Sequence, residues 1–305
     1  MKKIPVLTPH QKAHLLGDKM PLAIAAIDRH HPPFRLKPPK IVGPRHDRMT
    51  ILAGIICKEF IVLGADSRWT NSTDGSMVNA DKISIVNFGD DQVMVGQAGL
   101  RPITTEIVET MRKKAIGISI TEPRDVTKIV KDSIRETKTS LDPAAKLFGK
   151  TYGAALMIAF YAQNRPHFYT CHIFGTGIPE PAESQYATAG CADMLANYFL
   201  SEFSAPRAID EIQLSALIYT IMKVKENNAF CGGPTTIKYL TTFFTRLDSS
   251  RVAKATTIDP GFIERFEKAL KMRDEQNKPE RNAQLIAVLR EVSDEFAKEH
   301  WQSPK

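Results

Sequence analysis

Thr50, Asp66, Lys82 and Gly96 follow one another within 47 residues and bring together a hydroxyl, a carboxylate, an ammonium and a backbone amide with no side chain over it. A threonine hydroxyl attacks a carbonyl only once its proton has gone to a nearby base. Were Thr50 the first residue of a processed chain, its own α-amine would be that base, because α-amines titrate near pH ~7.7–8.0. A buried Lys82 ammonium beside it would favour the deprotonated amine and hydroxyl. Asp66 would keep that ammonium charged and in place, and the Gly96 N–H would have unobstructed access to a tetrahedral oxyanion. The set has the parts for nucleophilic attack on an amide.

Chemistry of this kind needs strands that return to one place. Residues 50–57 read as a strand, and 61–65 return antiparallel to it, which carries Asp66 back beside Thr50. Residues 82–88 alternate, Gly89-Asp90-Asp91 turns, and 92–95 come back. Two helices follow on helical spacing. One is marked by Ile103, Ile107, Val108 and Met111; the other opens at Thr121-Glu122-Pro123 and carries Val126, Ile129, Val130 and Ile134. Strands are then expected near 152–161, 167–174 and 185–190, a helical pair at 192–203 and 207–228, and a final strand over 235–244. Periodicity alone supports an α+β protein.

The spacing of Thr50, Asp66, Arg68, Lys82 and Gly96 resembles the active-site pattern of proteasome β subunits and related bacterial self-compartmentalising peptidases. The resemblance runs from residue 50 to about 245 and takes in the hairpin around Asn164-Arg165-Pro166 and the strand Tyr186–Gly190. It implies a four-layer αββα sandwich, the N-terminal nucleophile hydrolase fold. It also implies a threonine-type endopeptidase for intracellular protein degradation: an acyl-enzyme on Thr50, Asp66 and Lys82 tuning the amine, Gly96 as oxyanion donor, and Arg68 holding the Asp66 loop. Trp69, Ala80 and Met94 stand where the family lines its first specificity pocket, and substrate would add as a strand between Thr70 and the Gly96–Ala98 segment. No metal or organic cofactor is implied. The expected setting is a cytoplasmic homo-oligomeric ring that degrades polypeptides, served by an ATPase or other regulator.

Three positions depart from the family. Cys191 replaces the serine that follows Gly190, and Asn228 and Cys231 stand in place of an aspartate and a serine. A thiol is a weak donor and an amide carries no negative charge. Two other readings therefore stay open, a catalytically silent ring subunit and an N-terminal nucleophile amidohydrolase acting on small amides.

The net charge of +7 is confined to one segment. Residues 1–49 hold ten Lys and Arg against three Asp, whereas residues 50–305 hold 31 basic and 31 acidic groups. Nucleic-acid binding is not expected of a neutral body. The first 49 residues also hold eight of nineteen prolines and no Ser or Glu, and they read as a disordered leader, a propeptide or a mis-set start. No apolar run reaches the length of a membrane span. The four cysteines are too widely spaced for a zinc site or a disulfide framework. Residues 50–245 read as one peptidase domain and 246–305 as a helical extension, with one amphipathic helix through Phe262, Phe266, Ala269 and Leu270 and another around Leu285–Phe296.

Overall fold

Continuous apolar runs set the two central strands. β1 (Ile51–Ile56) and β2 (Ile61–Asp66) are buried on both faces except at Ile56, as strands enclosed between two layers must be. The computed structural model describes residues 50–70, 77–190, 192–203, 210–228, 231–244 and 251–274. The first 49 residues, Cys191 and the helix expected around Leu285–Phe296 lie outside that set.

β3 (Arg68–Thr70) and β4 (Met77–Asn79) form a short ribbon after β2. β5 (Ile83–Phe88) and β6 (Asp91–Gly99) form the next hairpin. Helices α1 (Arg101–Ala115), α2 (Pro123–Ser140) and α3 (Pro143–Tyr152) follow. β7 (Ala154–Ala162) and β8 (Arg165–His172) then pair through a two-residue turn in which Gln163 and Asn164 both take positive φ, of 51° and 60°. Such a turn suits the right-handed twist of hairpin strands. β9 (Glu180–Pro181) and β10 (Tyr186–Gly190) precede α4 (Asp193–Phe203) and α5 (Asp210–Asn227). The described chain ends with β11 (Thr235–Phe244), β12 (Arg251–Thr257) and α6 (Pro260–Asp274).

The strands form two antiparallel five-stranded sheets, ordered β10-β1-β2-β11-β12 and β5-β6-β7-β8-β9. Between them lies an apolar layer that includes Leu52, Leu63, Met94, Met157 and Leu240. On the outer face of the first sheet, Ile51, Ala53 and Ile237 pack against α4, α5 and α6 through Leu195, Leu217, Ile221 and Phe266. On the outer face of the second, Val93, Leu156 and Ile158 meet α1 and α2 through Ile107, Met111, Val130 and Ile134. This is the expected αββα sandwich.

Three elements differ from the sequence expectation. Tyr152 ends a helix instead of opening a strand, because Asp142 Oδ1 accepts the Ala145 N–H at 2.7 Å and Pro143 follows, a start signal for α3. The ribbon β3–β4 was not foreseen. Nor is residue 244 the end of the sheet, since β12 adds an antiparallel strand along β11, from Lys238↔Thr257 to Phe244↔Arg251.

Candidate active site

Thr50 immediately precedes β1 and is 1% exposed. β1 lies between β10 and β2, so that Ile51 is opposite Gly190 and Leu52 is opposite Ala65. This register returns Asp66, the last residue of β2, to the start of β1. Its Oδ1 accepts the Ile51 N–H at 2.9 Å and the Lys82 ammonium at 2.7 Å, while Oδ2 accepts the N–H of Gly232 at 2.9 Å. The Asp66 and Lys82 side chains are both 0% exposed. An ion pair without water is stable only with good geometry and further hydrogen bonds, and the two backbone amides supply them.

Lys82 is held from several sides. Its carbonyl accepts the Gln97 N–H at 2.8 Å. Asp81, the residue before it, accepts the Ile83 N–H at 2.8 Å and the Lys238 ammonium at 2.5 Å, tying β5 to β11 of the other sheet. The Lys82 ammonium also lies 5.2 Å from the Trp69 ring centroid, and the Arg101 guanidinium carbon lies 5.9 Å from it. Trp69 is thus packed over the ion pair as a cation–π partner.

A cleft of about 260 Å³ opens at Thr50. Ala98, Gly99, Ala154 and Gly190 form part of its wall, and Lys150, His172 and Asp193 bring charged or titratable groups to it. Pockets for drug-sized ligands usually run to ~300–1,000 Å³, so this one is small. Gly190, at φ 113°, presses so closely on Thr50 that a Cβ there would stand 2.1 Å from the Thr50 carbonyl oxygen.

Of the residues read from the sequence, Thr50, Asp66 and Lys82 are brought together, and Ala98 joins Thr50 in the cleft. Gly96 sits within β6 opposite Ile83 and Met157 and does not line the cleft; the space a Cβ would take is filled by Leu52, 2.7 Å away. Met94 is buried between the sheets, Trp69 is buried at the ion pair, and Ala80 is half-buried after β4. Thr70 ends β3 opposite Met77. The Arg68 guanidinium packs flat on Gly232, where a Cβ would meet it at 2.4 Å, and the Arg68 N–H donates to the Gly232 carbonyl at 3.1 Å. Asn228 follows the C-terminus of α5 with its N–H on the Val224 carbonyl at 2.8 Å, and Cys231 is buried in the apolar cluster under that helix.

Sequence reasoning missed Gly232, which supplies the second amide to Asp66. The Gly232-Gly233 pair was its only signal. Lys150, His172 and Asp193 carried no signal, because the elements that bear them meet at Thr50 only in the folded sandwich. Among the described residues, no group of three His, Cys, Asp or Glu could hold a metal ion, and no helix is long and apolar enough to cross a membrane.

A family model for the proteasome subunit matches residues 49–238, more than half of the chain. No curated protein matches the sequence significantly. Solved structures with the same fold include Anbu, an ancestral β-subunit, from Yersinia bercovieri, with a TM-score of 0.56 and 13% identity over 73% of this chain and 94% of that one. A Gly-1 mutant of Anbu from Hyphomicrobium sp. strain MC1 matches with a TM-score of 0.55 and 14% identity, covering 74% of this chain and 96% of that one. The Anbu complex from Pseudomonas aeruginosa, solved as a helical assembly, matches at 0.58 and 15% identity, covering 75% of this chain and 98% of that one. At these identities the likeness is one of fold.

The helical assembly corrects the expectation of a closed ring. One head-to-tail interface gives a ring if its rotation closes and an open helix if it does not, and this fold is found in a helix. The reading of the chain as an endopeptidase subunit of a ring for intracellular protein degradation falls with it, since that reading needed a sealed chamber. The partners drawn from the ring, polypeptide substrates and an ATPase or other regulator, lose their basis too.

Proposed function

The chain belongs to the proteasome-subunit family, and from that premise we propose that it is an N-terminal nucleophile amidohydrolase acting on small amides through Thr50. The observation that carries the reading is the fully buried Lys82–Asp66 pair, joined by the Ile51 N–H to the start of β1, where the preceding residue, Thr50, lines a cleft. A 0%-exposed ammonium held at 2.7 Å by a carboxylate is costly to maintain for structure alone. Beside a threonine it has a use.

Once the peptide bond before Thr50 is cut, the freed α-amine takes the Oγ proton as Oγ attacks the amide carbon. Negative charge then grows on the carbonyl oxygen. The Lys82 ammonium favours the anionic nucleophile and the neutral amine, and Asp66 fixes Lys82. The oxyanion donor comes from the Gly96–Gly99 end of β6, whose Ala98 and Gly99 share the cleft with Thr50. Collapse of the tetrahedral carbon passes the proton from the α-amine to the departing nitrogen and leaves an ester on Thr50. Water, activated by the same amine, hydrolyses it.

Two observations favour small amides over folded or unfolded proteins. The cleft is small, about 260 Å³, below the ~300–1,000 Å³ usual for pockets that take drug-sized ligands. The related fold in Pseudomonas aeruginosa assembles as a helix, and helical symmetry does not close a chamber around the site.

The second reading, a silent subunit, is favoured by the burial of Thr50, which is 1% exposed. One experiment separates the two. Protein is incubated with a β-lactone that acylates N-terminal threonine, its intact mass is read, and turnover of small amides is compared with that of an unfolded protein. An adduct on Thr50 with turnover of small amides is expected. Absence of any adduct on protein whose chain begins at Thr50 would leave the silent subunit, and turnover of the unfolded protein alone would restore a protease.

A further inference from the structure

Asp66 receives two of its three donors, Ile51 N–H and Lys82, from the sheet frame, but the third, Gly232 N–H, comes from a turn 166 residues later in the chain. That turn runs between α5 and β11 and contains Gly233 at φ 73°. The Ser67 and Arg68 N–H groups hold its backbone, donating to the Pro234 carbonyl at 2.9 Å and the Gly232 carbonyl at 3.1 Å, and side chains add to that hold.

Lys225, in the last turn of α5, donates to the Gly233 carbonyl at 3.3 Å, to Thr235 Oγ1 at 2.7 Å, and to both Glu267 oxygens at 2.8 and 3.1 Å. The Thr235 hydroxyl also donates to Glu267. Lys225, Thr235 and Glu267 thus form a closed triangle whose corners stand on α5, β11 and α6. The two charged side chains are only 13% and 14% exposed. Glu267 faces inward from a helix whose Ile263, Phe266 and Leu270 are packed in the same core as Ile237 of β11.

We propose that α6 is part of the candidate site, with Lys225 and Glu267 as positioning residues that hold the Gly232–Gly233 turn where Gly232 donates to Asp66. The coupling runs from Glu267 to Lys225, through the Gly233 carbonyl to the Gly232 amide, and so to the carboxylate that fixes Lys82. The inference deepens the hydrolase reading and rests on it for its chemical consequence. The loosening of the turn is a separate, structural consequence.

The test uses the full chain. Lys225→Met with Glu267→Leu removes both charges at similar volume and leaves no buried ion alone, the replacement for a buried pair that folds best. Amide exchange at Cys231, Gly232 and Gly233 is measured with that over α6, and the rate of Thr50 acylation by a β-lactone is followed from about pH 6 to 9. A charge-assisted hydrogen bond is worth about ten- to hundredfold in an equilibrium. Exchange at the turn is therefore expected to rise by about that factor while α6 stays protected, and the midpoint of the acylation profile is expected to move. The Lys114–Glu136 surface pair, neutralised in the same way, should do neither.

Unchanged exchange at the turn in a folded variant overturns the proposal. A loosened turn with an unmoved acylation profile reduces the pair to a structural clamp and overturns it equally. Should the double variant not fold, Glu267→Gln gives the same two readings while keeping the shape. If wild-type Thr50 never reacts, the hydrolase reading fails on its own, and turn exchange alone then decides whether Lys225 and Glu267 position Gly232.

Discussion

Replacing Asp66 by Asn removes one charge from a fully buried pair and alters little else. The carboxylate accepts three donors, at 2.7 Å from Lys82 and 2.9 Å from each of the Ile51 and Gly232 amides. An asparagine has one carbonyl oxygen and an NH2 group that donates. If its oxygen faces Ile51 and Lys82, its NH2 meets the Gly232 N–H, donor against donor; turned round, it meets the Lys82 ammonium. In both orientations Lys82, 0% exposed, loses the carboxylate that balances its charge at 2.7 Å.

Breaking a buried pair by removing one partner costs ~3–5 kcal/mol. For a domain of this size each kcal/mol lowers Tm by ~2–4 °C, so the melting temperature should fall by about 6–20 °C. Lys82→Met in the same background should recover most of that loss, because the uncompensated charge is gone and the apolar stem remains. The assay is thermal unfolding of wild type, both single variants and the double at pH 7, closed as a double-mutant cycle. An Asp66→Asn protein melting within two degrees of wild type, or a double variant no more stable than Asp66→Asn, would refute the claim that a buried ion pair anchors the start of β1.

Gly190→Ala should lower stability by at least ~1–3 kcal/mol, and displace Thr50 as well, since the added Cβ would stand 2.1 Å from the Thr50 carbonyl oxygen at φ 113°; urea unfolding measures the first effect and β-lactone acylation the second. Cys171 should resist alkylation by iodoacetamide at pH 8 in the native protein and react once unfolded, because burial, with a smaller push from the Glu180 carboxylate, raises its thiol to about 12. Asp125→Ala should lower stability, because Asp125, the third residue of α2, accepts the Glu122 and Thr121 N–H groups at the start of that helix. The Glu122 amide above all holds the Asp125 carboxyl below its ordinary value. This stabilisation is present above the unfolded carboxyl pKa of ~3.9 and lost as pH falls through the lower folded value, so wild type and variant should converge in thermal melts taken below that window.

The Thr50, Asp66 and Lys82 cluster was legible in the sequence because chemistry at an N-terminal threonine needs those types, and because strands of known length return residues at fixed offsets. Strands and helices were legible from periodicity, as where Ile103–Met111 and Val126–Ile134 mark helices with one buried face, but periodicity reached only an α+β protein, and the layering into a sandwich came from the family resemblance. What stayed hidden depends on contacts between residues far apart in the chain. β12 was missed because only pairing along β11 makes Arg251–Thr257 a strand, and α3 because Tyr152 was read with the apolar strand that follows it. Gly232 reaches Asp66 across 166 positions, and Lys225 reaches Glu267 across 42. No local pattern encodes such distances. Residue types and spacing determined the candidate groups Thr50, Asp66 and Lys82 and the strands that bear them; only tertiary structure decided which amides, charges and cleft walls surround them, because burial and hydrogen-bond partners exist only after the two sheets and their helices have packed.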